Sequence, residues 1–267
     1  ERIVEDALWK MKSSSDGSLL DRAFLVMMNP NTGELLSMVG KKVEYDAGGK
    51  MYLADYSYGT FTTAYEIGST VKGATLLTGY REGAVTIGES QIDEPIILGQ
   101  NLTKSSIFNR SGRIRMDDLM ALEQSSNVYM FKIAMTMGGL SYYPYIGIAS
   151  LLRDDTLQRL RNGYAQVGLG VPTGIDLPGE TAGVIGVPDS PGKVLDITIG
   201  QFDTYTPMQL AQYVSTIANG GYRVQPRLLK EIRKPSKDGQ TLGPLVEEIE
   251  PNILNRLDNT QEGNSLS

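Results

Sequence analysis

Two short apolar runs, residues 23–28 and 34–39, flank the turn formers Asn29-Pro30-Asn31-Thr32-Gly33. This pattern reads as a β-hairpin and commits the chain to a sheet. What surrounds it is helical in pattern. Residues 2–12 set Ile3, Val4, Ala7, Leu8 and Met11 at helix-like spacing. Further helices are predicted over 71–80, over a short segment opened by Asp117-Asp118, and over 128–137, ended by Gly138-Gly139. Another is predicted around 151–160. The last starts at the cap Thr206-Pro207-Met208-Gln209 and stops at Asn219-Gly220-Gly221. Residues 45–63 read as irregular, 84–115 as loop-rich, and the chain beyond Lys230 as polar and charged. There is no internal repeat.

Composition excludes several functions. The 267 residues, 40% hydrophobic and 21% charged, are enough for a full core. A net charge of -6 with scattered basic residues leaves no footprint for nucleic acid. No apolar run approaches the length of a membrane span, and no signal peptide is visible. The start at Glu1 rather than methionine suggests a piece of a longer protein, with any membrane anchor left out.

The chain has no histidine and no cysteine. A Ser-His-Asp triad, a Cys-His pair and a His- or Cys-ligated zinc site are therefore impossible, and a serine nucleophile needs another base. Ser69-Thr70-Val71-Lys72 offers one, because a lysine three residues on stands nearly one helical turn away on the same face. With 20 serines and 12 lysines, about one such pair is expected by chance. A second occurs at Ser190-Pro191-Gly192-Lys193, where Pro191 and Gly192 disfavour a helical turn. The plain alternative for the first pair is an N-cap serine followed by a solvated lysine. Lys132 reads as solvated or snorkelling. Gln201, Asp203 and Tyr205-Thr206-Pro207 read as structural.

Ser125-Ser126-Asn127 changes the weighing, being the only Ser-x-Asn in the chain. The runs 65–80, 121–130 and 200–212, with Thr173-Gly174-Ile175-Asp176-Leu177-Pro178-Gly179-Glu180 and Ile217-Ala218-Asn219-Gly220-Gly221, resemble a class B penicillin-binding protein of Gram-positive bacteria. The resemblance covers most of residues 20–230 and combines Ser-x-x-Lys with Ser-x-Asn in the order of the penicillin-recognising enzymes. It implies an α/β (α+β) fold: an antiparallel sheet flanked by helices, with a helical subdomain inserted after the 23–39 hairpin. The family's third motif, Lys-Thr-Gly or Lys-Ser-Gly, does not occur here. Residues 1–267 are accordingly expected to be a partial transpeptidase domain, its later strands missing, and impaired by itself as an enzyme or β-lactam binder.

The resemblance also implies a mechanism. Ser69 attacks the carbonyl of a D-Ala-D-Ala bond in a peptidoglycan stem peptide, and a second stem peptide takes the acyl group. Lys72 is the base, Ser125 relays a proton, and Asn127 binds the substrate backbone. Lys72 must be neutral to act, although a free lysine titrates near ~10.4; burial and the positive helix end both lower that value. β-Lactams acylate Ser69 in the substrate's place, and no metal or organic cofactor is needed. The expected setting is the extracytoplasmic face of the membrane, beside a membrane glycan polymerase. Alternatives on the same fold are a serine β-lactamase, a β-lactam sensor or a non-catalytic scaffold.

Overall fold

The computed structural model describes residues 1–14, 19–99, 102–153, 155–236 and 239–257. The hairpin is present. β1 (Arg22–Met28) pairs antiparallel with β2 (Leu35–Tyr45) from Arg22↔Lys42 to Met27↔Ser37, with a shift in register at Met28. In its turn, Asn29 N donates to Glu34 O at 2.9 Å. Gly33 sits at φ +74°, so close to the Gln225 carbonyl that a Cβ would lie 2.0 Å from its oxygen. Glycine alone meets both demands.

Residues 45–63 are not irregular but extend the sheet. β3 (Met51–Asp55) pairs with β2 from Lys41↔Asp55 to Tyr45↔Met51, after a turn in which Asp46 Oδ1 accepts the amides of Gly48 and Lys50. No residue of this edge strand is fully buried, which blurs the alternation a half-buried strand shows. The short helix α1 (Arg2–Lys12) and a second, α2 (Gly59–Thr62), lie on the sheet.

Side chains alternate across the β1–β2 ladder. On one face Lys41 pairs with Glu1 and Glu5 at 2.5 and 2.8 Å, docking α1. α1 buries Val4 and Leu8, one turn apart, and leaves Ile3 and Met11 exposed. On the other face Val26 and Met38 pack with Phe61 of α2 and with Met208, which lies beyond the helical region.

That region follows β3. Its first helix is α3 (Lys72–Arg81), followed by α4 (Asp118–Glu123) and α5 (Asn127–Met137). α5 is apolar over most of its surface and runs through the core, with Val128, Met130, Ile133 and Ala134 wholly buried. α3 crosses it where Gly79 meets Ile133; a Cβ on Gly79 would stand 2.8 Å from Ile133 Cγ2. Such close crossings need a small residue on one helix.

Residues 84–115 contain four short strands rather than loops alone. β4 (Gln91–Asp93) and β5 (Ile96–Gly99) pair antiparallel with β7 (Ile114–Met116) and β6 (Leu102–Lys104), respectively. Strands of three or four residues are too short to show a period; positions 100 and 101 lie outside the described residues. The helix around 151–160 is displaced: a 3-10 turn occupies Ala149–Leu152 and α6 spans Thr156–Gln166. Asp154 is outside the described residues.

A helical turn does form at 190–193. α7 (Pro191–Ile197) starts with Pro191 at its first position, where the missing amide proton costs nothing. Lys193 nevertheless pairs with Asp189, at 2.8 Å. α8 (Pro207–Ala218) begins as predicted: the Thr206 hydroxyl accepts from Gln209 N at 3.1 Å, and Gln209 Oε1 accepts from Thr206 N at 2.9 Å. Beyond it come β8 (Tyr222–Val224), β9 (Glu231–Arg233), β10 (Leu245–Glu248) and β11 (Ile253–Arg256), in the pairs β8–β11 and β9–β10. Among the described residues, no helix is long and apolar enough to cross a membrane.

Candidate active site

Ser69 is presented by a backbone contact between distant segments. Tyr65 and Tyr205 exchange backbone hydrogen bonds at 2.9 and 2.8 Å, and Gly68 N donates to Gly200 O at 3.0 Å. Gly200, at φ +76°, is so close that a Cβ would lie 2.0 Å from Gly68 O. The chain then makes a 3-10 turn, Gly68–Val71, that runs into α3 at Lys72. Val71 anchors the turn in the core while Ser69 faces solvent. Neither the turn nor α3 has a side-chain cap, so Ser69 is not an N-cap. Lys72, 2% exposed, is not solvated either. The plain alternative thus fails on both residues.

Lys72 Nζ donates to Ser125 O at 2.7 Å, to Ser125 Oγ at 2.9 Å and to Asn127 Oδ1 at 2.7 Å. An ammonium has three protons and no lone pair, so these bonds use its full capacity. Its partners are therefore on the Ser125–Asn127 turn, and among the described residues no hydrogen bond links it to the Ser69 hydroxyl. Burial lowers the Lys72 pKa to about 8, against the opposing pull of the Asp93 carboxylate.

The local sequence explains the turn. Asp117 caps α4 by accepting Met120 N at 2.9 Å, as its acidic start predicts. Ser126 caps α5 by accepting Tyr129 N at 3.0 Å. Between the two helices Ser125 is held at φ +55°, a left-handed conformation that costs a non-glycine residue about 1–2 kcal/mol. Ser125 is exposed beside the buried Asn127, whose Nδ2 donates to Ser105 O at 3.2 Å. Two motifs far apart in sequence thus meet at one ammonium.

The remaining candidates divide. Asp203 is buried and accepts both Arg161 Nε and Nη2 at 2.8 Å, while Thr206 serves the α8 cap. Both are structural, as expected, and Gln201 is exposed. Lys132, read as solvated or snorkelling, is half-buried: it donates to Ile92 O at 2.6 Å and lies over the Tyr142 ring. Sequence reasoning missed Gly200, signalled only by its glycine, and Asp93, which no motif marks.

Residues 23–263 match the family described as the penicillin binding protein transpeptidase domain. The chain is 47% identical over 262 residues to penicillin-binding protein H of Bacillus subtilis, covering 98% of this chain and 36% of that protein. It is 44% identical to penicillin-binding protein 2A of the same organism, covering 97% of this chain and 35% of that one. The solved structure of penicillin-binding protein 2B from Streptococcus pneumoniae strain 5204 superposes with a TM-score of 0.88 at 32% identity, over 96% of this chain and 42% of that one. The chain therefore spans about a third of the length of the curated relatives it matches. In sequence, fold and the order of its two motifs, it belongs to the transpeptidase family of class B penicillin-binding proteins.

Proposed function

We propose that this chain carries the acylation chemistry of a peptidoglycan D,D-transpeptidase, with Ser69 as nucleophile and Lys72 as its base. The supporting observation is a buried lysine, titrating near 8, held between Ser125 and Asn127 one turn from an exposed serine. In its neutral form Lys72 takes the Ser69 proton as the serine oxygen bonds to the carbonyl carbon of a D-Ala-D-Ala terminus. Ser125, already bonded to Lys72, relays a proton to the leaving nitrogen, and D-alanine departs. Asn127 holds the substrate backbone through its amide. The amine of a second stem peptide then displaces Ser69 and forms the cross-link. Its substrate places the enzyme outside the cytoplasm.

A β-lactam opens on Ser69 in the same way and remains attached. In the longest natural chain containing this sequence, a fluorescent penicillin is expected to label the protein, with the adduct found on Ser69 by mass spectrometry. Labelling that survives Ser69→Ala undiminished refutes the assignment.

A further inference from the structure

Asp93, the last residue of β4, is 1% exposed. Its Oδ2 accepts from Ser106 Oγ and from Ser126 Oγ, both at 2.5 Å, and its Oδ1 accepts from Asn109 Nδ2 at 2.8 Å. Among the described residues, no lysine or arginine forms an ion pair with it. A buried carboxylate without a counter-ion is costly, and hydrogen bonds to three side chains offset only part of that cost. Capping α5 does not require it, since a serine alone caps a helix. The carboxylate needs another reason to be there.

Its two serine partners supply one. Each hydroxyl has a single proton, and both protons are committed to Asp93. Their lone pairs are thereby turned toward the start of α5. Ser106 Oγ accepts from Asn127 N at 2.9 Å and Val128 N at 3.3 Å, and Ser126 Oγ accepts from Tyr129 N at 3.0 Å. One carboxylate thus orients the acceptors of three of the orphan amides at this helix start, with its charge at the positive end of the helix dipole. Asn127 is gripped from both ends: its backbone by Ser106 and its side-chain amide by Ser105 O at 3.2 Å. An unbroken hydrogen-bonded path runs from Asp93 through Ser106 and Asn127 to Lys72 Nζ.

We propose that Asp93 is a positioning residue for acylation, clamping through Ser106 and Ser126 the turn that presents Ser125 and Asn127 to Lys72. This inference rests on the acylation role of Ser69 and Lys72 given above. Asp93 touches neither substrate nor nucleophile and acts through the groups it holds. It also acts by charge: the α4–α5 turn presents only the neutral Ser125 and Asn127 to Lys72, whereas Asp93 presents a carboxylate from β4 that opposes the effect of burial.

The test is a pair of substitutions in the longest natural chain containing this sequence, with acylation by a fluorescent penicillin followed against pH. Asp93→Asn keeps the shape, removes the charge and turns an amide donor toward groups that are themselves donors. Its acylation rate is expected to fall at least tenfold. The pH at which the rate rises is expected to move below that of the wild type, because loss of the carboxylate lets the Lys72 pKa fall further. Ser106→Ala breaks the clamp but keeps the charge, so it slows acylation without moving the pH limb.

An Asp93→Asn protein that folds and acylates within twofold of wild type, or that slows with an unmoved limb while Ser106→Ala behaves as wild type, overturns the proposal. Should Asp93→Asn fail to fold, Ser106→Ala decides alone: a tenfold slowing at near-native melting temperature supports the clamp, and a rate within twofold overturns it. A wild type that is never labelled at Ser69 removes the acylation reading and this inference with it. A labelled wild type with indifferent variants removes only the inference.

Discussion

Substituting Gly200 by alanine tests whether the contact beneath Ser69 sets the geometry of the proposed nucleophile. The added Cβ would lie 2.0 Å from Gly68 O and 2.6 and 2.7 Å from Gly68 C and N, all backbone atoms that no rotamer change can move aside. Ordinary contact begins near 3.4 Å, so the two segments must part by about 1.4 Å at the residue preceding Ser69. A displacement of about 1 Å from reactive geometry is enough to cost about 10²-fold in rate. Alanine at φ +76° adds a backbone penalty of about 1–2 kcal/mol, which in a chain of this size lowers Tm by roughly 2–8 °C. The expected result is acylation about a hundredfold slower in a protein still folded at 20 °C. Stopped-flow labelling with a fluorescent penicillin gives the rate, and calorimetry gives the melting point. A folded Gly200→Ala protein acylating within about threefold of wild type refutes the argument that this contact holds Ser69 in place.

Acylation is expected to rise with pH through about 8, because in the proposed mechanism only neutral Lys72 accepts the serine proton; the neutral fraction grows from about a tenth at pH 7 to about nine tenths at pH 9. Lys72→Arg stays protonated across this range, so its rate is expected to be lower by several orders of magnitude, and an arginine variant within tenfold of wild type contradicts the base assignment. Thr206→Ala removes half of a reciprocal cap on α8 and is expected to destabilise the fold by about 0.5–2 kcal/mol in chemical denaturation while leaving the acylation pH profile unmoved.

The parts of the site legible in the sequence were those whose chemistry restricts residue type. Without histidine or cysteine, a serine nucleophile required a base such as Lys72, and Ser125-Ser126-Asn127 stood in the right order behind it. The α8 cap was legible because both its partners lie within one turn. Asp93 was not, because it meets Ser126 33 residues later, after four short strands have brought the segments together. Gly200 carries no side chain to suggest that its neighbour is the Ser69 turn. The error at Pro191 came from treating proline as a helix breaker, although at a first helical position it favours the fold. β3 went unseen because, as a partly open edge strand with Tyr52 and Asp55 outward, it shows little apolar rhythm.

The crossing of α3 and α5 at Gly79 and Ile133 has a consequence for how this chain can change. The turn before α3 carries Ser69 and α3 opens at Lys72; α5 begins at Asn127, which meets Lys72. The two segments that meet at the Lys72 ammonium are thus joined a second time, by a packing contact inside the core. A methyl group gained at Gly79 presses on Ile133 and is expected to shift Lys72 against Asn127 without altering a residue of either motif. Under the function proposed above, β-lactam acylation is therefore expected to be tunable through substitutions that leave both motifs intact.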